Sequence, residues 1–529
     1  MTSDNVFLKQ NVLAEPLINH WYAWPYLVPP ATGSMFLANS HIRIMESFVA
    51  SPQVHVAAVK NPAMIGGPFM NYDASRIPEV KALLEGTVRR QSHLIELAGA
   101  IKALDEMLNN EADGHSLESI YKKAPEPLKG YVELVYDLNN HASIRFIEGL
   151  LYKSRYYDET SQSVELSFID RDDRSFVFST PRLKQEGRLR LNVPFKSASL
   201  DELFKMKDAA QPLDHIKERL EIAPADEQLF TSLFTSDAPA IGSPYTGEGV
   251  RVRYYGHACI LIESRETSVL IDPLISYKYG SQDNRFTYAD LPPVIDHVLI
   301  THNHQDHCLF ETLLQLRHRI KSIVVPRSGG GSLSDPSLKL ILNNIGFKNV
   351  MEIDEMESIE IEGGSITGVP FLGEHADLNI RTKTAHLITM KGKSMLCAAD
   401  SNNIEPMLYK HVHDIVGDLD IVFLGMECVG GPLSWLYGPL LTRPLARRMD
   451  QSRRFDGSDC EKALLLIDQL KPKQSYVYAM GHEPWLAYLT SINYTEESRQ
   501  IVESNKFVEG CKSRNLVSER LYCSKELFL

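Results

Sequence analysis

DHVLITHNHQDH (296–307) is the stretch on which the fold turns. An apolar run, 296–302, leads straight into H-x-H-x-D-H, which sets His302, His304, Asp306 and His307 side by side. Three imidazoles and a carboxylate are too many for one closed tetrahedral site. A turn at a strand end can send His302 and His304 one way and Asp306 and His307 the other. That arrangement places two metals a few Å apart, the separation used in dinuclear catalysis.

The neighbouring sequence supplies a frame. GHACILIES (256–264) and SVLIDPLIS (268–276) read as strand, turn and strand, with Asp272-Pro273 ending the second near the site. KSMLCAADSN (393–402) is an apolar strand with Asp400 at its tip, placed to bridge two metals. QSYVYAMGHEPW (474–485) delivers His482 in the same way, and DIVFLGME (420–427) delivers Glu427. Short strands alternating with helices beyond residue 250 predict two sheets flanked by helices.

The first half reads differently. Residues 1–75 are rich in aromatics, Pro and Gly; apolar spacing predicts helices over 77–109, 128–152 and 199–221, and alternation predicts strands at 164–168, 176–178 and 189–193. SDAPAIGSPYTGEG (236–249) reads as a linker. An N-terminal α+β domain, 1–240, is therefore expected before a metal-binding domain, 250–529.

Composition narrows the class. The 529 residues exceed what one core supports. The net charge of −13 argues against a nucleic-acid partner. No apolar run is long enough for a membrane span, and no secretory signal is apparent. Seven scattered cysteines without a C-x-x-C pair suit reduced thiols and a cytoplasmic setting.

On the H-x-H-x-D-H motif with Asp400 and His482 on later strand tips, residues 250–485 resemble the metallo-β-lactamase superfamily. The resemblance implies an αβ/βα sandwich in which His302 and His304 bind one metal, Asp306, His307 and His482 the other, and Asp400 bridges. Hydrolytic members carry one more His before the bridging Asp. Here GVPFLGEHADL (368–378) offers Glu374 and His375 side by side, and only one of two neighbours on an extended segment can face the metals. His375 would suit zinc and hydrolysis; Glu374 would suit iron or manganese.

GEHADL, the carboxylate at Glu427 and the large unrelated first half together resemble a narrower group, the dinuclear-iron β-hydroxylases of nonribosomal peptide pathways, of the chloramphenicol-pathway type. This resemblance implies Glu374 as ligand, with Glu374, Asp400 and Glu427 as the catalytic carboxylates. It also implies two iron ions with O2 as co-substrate, and a substrate amino acid tethered to a peptidyl-carrier protein and hydroxylated at Cβ. An external electron donor or reductase and a homodimer follow, with the first domain dimerising and roofing the site. A dizinc hydrolase of a lactone, phosphodiester or thioester is the alternative. His257 reads as a packed structural histidine. Trp435 and Tyr437 are candidates for a pocket wall, and Ser458 with Glu461 reads as a capping box. TRPLARRMDQSRR (442–454) brings together Arg443, Arg447, Arg448, Arg453 and Arg454, either a solvated face or a dock for an acidic partner.

Overall fold

Apolar runs beyond residue 250 become the strands of two seven-stranded sheets. In this computed structural model, which describes residues 5–281 and 283–529, the first sheet runs Val350–Ile353, Ile320–Pro326, Ile295–Leu299, Ser268–Ile271, Cys259–Glu263, Arg251–Gly256 and Lys525–Phe528. The second runs Ser358–Ile361, Gly364–Val369, Ala385–Met390, Lys393–Cys397, Ile421–Gly425, Gln474–Tyr478 and Val517–Arg520. Each sheet is antiparallel on one side and parallel on the other. Strand alternation sorts the side chains. Ile260, Ile262, Val269 and Ile271 meet Ile388, Met395, Ile421, Phe423 and Tyr476 between the sheets. Leu396, Val422, Leu424 and Val477 point outward, against helices Met407–Val416, Cys460–Leu470 and Arg499–Ser513. The arrangement is the αβ/βα sandwich expected from the motif.

The parallel strands decide where chemistry can sit. Asp272, His302, Asp400, Glu427 and His482 all follow the carboxyl ends of parallel strands, so they gather along one rim of the sandwich.

The first half closes over that sandwich. Leu13, Val164, Leu200, Leu203 and Phe204 share one core with Val298, Phe310, Leu313 and Ile323. Met35, Ile101 and Leu104 share another with Ala376, Leu433, Leu436 and Tyr437, which belong to the loops around the metal rim. Buried ion pairs add to the seam. Arg174 lies 2.9 Å from Glu15 and 2.9 Å from Glu311, and Arg182 lies 2.6 Å from Glu15. Burial alone would raise the Glu15 carboxyl, but Arg182, Arg174 and Arg188 outweigh it and hold it far below the usual carboxylate range.

Four local expectations fail. The stretch 199–221 is not one helix but two, Ala198–Lys205 and Leu213–Arg219. Residues 128–152 form no long helix but a hairpin, Val132–Tyr136 with Ala142–Phe146, followed by the short helix Glu148–Leu151. Residues 176–178 form no strand. The helix Cys460–Leu470 is capped by Asp459, whose side chain accepts from Lys462 N at 3.1 Å, rather than by Ser458. Ser458 Oγ instead donates to Ser401 O at 2.8 Å and accepts from Asn403 N at 2.9 Å, fastening the segment beyond Asp400.

Candidate metal centre

The site is organised from Asp272, which leaves its strand with φ of 40°. Its carboxylate accepts from Thr301 N at 2.8 Å and from Thr301 Oγ1 at 2.6 Å. Thr301 Oγ1 in turn accepts from His302 Nδ1 at 3.0 Å, and Asp272 accepts from His307 Nδ1 at 2.7 Å. With both Nδ1 atoms turned into this network, the Nε2 atoms of His302 and His307 face inward. Burial would lower the His307 ring, yet Asp400 and Asp272 raise it well above the usual imidazole value. Burial, then its histidine neighbours, hold His302 well below.

Asp400 reaches both rings: its Oδ2 lies 3.1 Å from His307 Nε2 and 3.8 Å from His302 Nε2. The approach is tight. A Cβ on Gly425 would meet Asp400 Oδ1 at 2.6 Å.

Of the adjacent pair at 374 and 375, the glutamate joins the donors. Glu374 Oε1 lies 2.9 Å from His304 Nδ1 and Oε2 lies 3.8 Å from His302 Nε2. Its loop is held in left-handed backbone at Gly373, Glu374, Ala376 and Asp377, with φ of 79°, 62°, 52° and 56°. A side chain at Gly373 would meet Asn402 Cβ at 2.4 Å, so only glycine fits. Arg453 Nε fastens the loop by donating to Ala376 O at 2.8 Å. His375 is buried beside the group, stacked on His304 with ring centroids 4.6 Å apart, and is outside the donor clusters formed among the described residues. Burial pushes the Glu374 carboxyl up to about 7, against the downward pull of His304.

The second side of the centre departs from expectation. Asp306 and His307 cluster with His257, whose Nε2 lies 3.2 Å from Asp306 Oδ2. His482 belongs to no donor cluster among the described residues. Its ring lies 5.0 Å from that of Tyr522, and it lines a neighbouring cavity. The physical reason is the turn that ends the Gln474–Tyr478 strand. There Ala479 N donates to His257 O at 2.9 Å, and Glu483 Oε1 accepts from His257 N at 2.9 Å, which fastens His257 to the end of that strand. Glu427 lines the same cavity of about 250 Å3 as His304, Asp306, Glu374 and Asp400. Burial and then Asp400, Asp306 and Glu374 raise its carboxyl well above the ordinary range.

The donor set fits a pair of hard cations. Among the described residues, the buried atoms His302 Nε2, His307 Nε2, Glu374 Oε2 and Asp400 Oδ1 have no hydrogen-bond partner, a costly condition that metal coordination removes. Four carboxylates crowd one cavity and repel one another, which two dications would reverse. An oxygen-rich set with three imidazoles suits iron over zinc.

Two residues that the motifs did not mark as centre-building complete the surroundings. Tyr437 OH lies 3.1 Å from His304 Nε2, leaving Nδ1 to face Glu374. Trp435 lines both the metal cavity and a larger one of about 640 Å3, walled by Trp24, Phe36, Phe69 and Phe178. Tyr437 was expected only as a pocket wall, and no spacing rule marks a partner 133 residues from His304.

Known proteins resemble this chain from end to end. The family model for the N-terminal domain of diiron non-heme β-hydroxylases matches residues 7–239, and a β-lactamase superfamily domain matches 251–426. The 4-amino-L-phenylalanyl-[CmlP-peptidyl-carrier-protein] 3-hydroxylase of Streptomyces venezuelae is 41% identical over 99% of either chain. The crystal structure of CmlA, a diiron β-hydroxylase from Streptomyces venezuelae, superposes with a TM-score of 0.94 at 41% identity, covering 100% of both chains. A point mutant of CmlA gives 0.92 at 41% identity over 99% of this chain and 100% of the other. These relatives do not favour the hydrolase alternative. No helix among the described residues is long and apolar enough to cross a membrane.

Proposed function

Because the chain belongs to the diiron non-heme β-hydroxylase family, we propose that it hydroxylates the β-carbon of an aromatic amino acid held as a thioester on a peptidyl-carrier protein. The observation that carries this reading is Glu374, standing where His302 and His304 converge and lining a cavity that Trp435 and Phe455 also wall, next to a larger aromatic cavity. The relative's printed substrate, a carrier-bound 4-amino-L-phenylalanyl group, is of the same class.

His302, His304 and Glu374 would hold one iron. Asp306 and His307 would hold the other, with His257 beside Asp306, and Asp400 would bridge. Glu427 lines the cavity beside them and would add a further carboxylate next to the metals. Bound there, the iron pair supplies O2 activation. One oxygen atom enters the Cβ–H bond and the other leaves as water, with two electrons and two protons drawn from an external donor.

The protein's own residues do the rest. Asp272 and Thr301 fix the ring orientations of His302 and His307. Tyr437 keeps His304 turned toward Glu374. Trp24, Phe36, Phe178 and Trp435 offer flat apolar walls that orient an aromatic side chain and exclude water. The first half roofs this cavity; it also offers surface for a homodimer, and a separate reductase feeds the electrons.

The test is a single turnover under 18O2 with 4-amino-L-phenylalanine loaded on a carrier domain. A product heavier by one 18O at Cβ, formed only after reduction, supports the reading. Release of free amino acid without oxygen incorporation contradicts it.

A further inference from the structure

The aromatic cavity opens onto a face that carries unpaired positive charge. Trp435, Leu436 and Gln305 line both the metal cavity and the 640 Å3 cavity, so the two are neighbours that share a wall. At the outer rim stands helix Arg447–Ser452, which buries none of its residues. It is pinned from behind. Asp450 accepts from Ser434 N and Ser434 Oγ, each at 2.8 Å, and Arg453 donates to Ala376 O. Arg447, Arg448 and Met449 are left exposed, Met449 at 53%, next to Trp435 at 38%. Arg443 lies 3.7 Å from Asp105 and Arg454 lies 3.8 Å from Asp456, whereas Arg447 and Arg448 have no acidic partner among the described residues. Across the mouth, Arg43 is exposed and lines the same cavity, and Asn39 Nδ2 bridges the two rims by donating to Pro439 O at 2.6 Å.

We propose that this face docks the carrier domain: Arg447 and Arg448 meet its acidic surface, Met449 and Trp435 supply apolar contact, and the thioester arm enters past Trp435 with its phosphodiester against Arg43. The proposal rests on the carrier-bound substrate proposed above. Charge argues for the location. The chain carries a net charge of −13, so an acidic domain is repelled at long range and needs a local basic patch to land. Arginine forks suit both carboxylates and a phosphodiester. Helix Arg447–Ser452 also ends on Arg453, which holds the Glu374 loop, so a partner seated there would sit one residue contact from the metal centre.

The probe is the CmlP carrier domain, charged on its phosphopantetheine arm with 4-amino-L-phenylalanine. Its Kd for the iron-loaded protein is measured at low and high salt, together with KM and kcat. Wild type is expected to bind it and to weaken with salt. R447E/R448E is expected to raise Kd and KM by about tenfold or more while kcat at saturation stays within about twofold. Arg43→Gln is expected to raise KM for the charged carrier as well. Iron content at the wild-type level shows that the fold is intact. If it falls, the neutral R447Q/R448Q pair replaces the reversal, with the same direction expected. A carrier with acidic surface residues changed to lysine should regain affinity for R447E/R448E. Wild type that hydroxylates the charged carrier, with the reversal leaving Kd and KM unchanged, overturns the docking face alone. Wild type that neither binds nor hydroxylates it overturns the docking face together with the carrier reading.

Discussion

The Asp272 carboxylate accepts from His307 Nδ1 at 2.7 Å and, on the same Oδ2, from Thr301 Oγ1 at 2.6 Å. One residue at a strand end thereby sets the ring orientation of two neighbouring histidines, directly for His307 and through Thr301 for His302. Asp272→Asn keeps the shape but presents a weaker acceptor. Outer carboxylates of this kind are worth about 10- to 100-fold in metal affinity. Asp272→Asn is therefore expected to lose iron to a competing chelator at concentrations that leave wild type loaded, with circular dichroism unchanged. Equal iron retention would show that the pair does not set the site.

Glu374 is the residue on which the metal preference of the centre is expected to turn. Replacing it by histidine makes the ligand set nitrogen-rich, which shifts preference toward zinc. Glu374→His is expected to take up zinc over iron from an equimolar mixture and to lose O2-dependent hydroxylation. Elemental analysis of the purified variant reads the first, and product mass the second. A variant that still selects iron would remove the weight placed on this carboxylate.

His482 and Glu427 separate the observed geometry from the sequence expectation. His482 lies against Tyr522 and lines a neighbouring cavity, whereas Glu427 lines the same cavity as Asp306 and Asp400; neither belongs to a donor cluster among the described residues. His482→Ala is expected to keep the iron content of wild type. Glu427→Gln is expected to lower iron content or cut turnover by about tenfold or more, as loss of a metal-facing carboxylate does. The opposite ranking in elemental analysis would restore His482 as the ligand.

Glu148 gives a pH signature of the seam between the halves. Its Oε1 accepts from Ser337 N at 3.2 Å. Burial pushes its carboxyl from 4.5 up to about 7, Asp335 adds to this, and the Ser337 N–H pulls the other way. The folded chain keeps a proton that the unfolded chain has already lost between those two values, so stability falls as pH rises through that window. Glu148→Gln is expected to be more stable than wild type at pH 8 by about 1–2 kcal/mol, with the gap closing below pH 5. Chemical denaturation at the two pH values reads the difference. A gap that does not change with pH would mean Glu148 titrates normally.

How far the sequence speaks depends on whether the signal is local. H-x-H-x-D-H carries its own geometry, because the strand before it and the short spacing leave few ways to place four ligand-type side chains. Asp400 and Glu427 were legible because each ends an apolar run. Other features need the third dimension. His257 lies 49 residues from Asp306 in the chain, and only the pairing of Ala479 with its carbonyl brings the Gln474–Tyr478 strand end alongside it. The hairpin at 132–146 was legible and misread: VELVY alternates, and Asp137 accepts from Asn139 N and His141 N across a turn with Asn140 at φ of 63°. Apolar residues nearby matched a helical period by chance, and the polar turn was the better guide. Ser458 was misread for a related reason. A serine before a helix is a good cap in isolation, but here the segment beyond Asp400 claims its hydroxyl.

The measurement closest to the central claim is the metal content of the protein as purified aerobically, read with its near-ultraviolet and visible spectrum. About two irons per chain, with an oxo-bridged diferric absorption that bleaches on reduction, is the expected result for a dinuclear centre held by these residues. About two zincs per chain, a featureless spectrum and no O2-dependent product after iron reconstitution would contradict it.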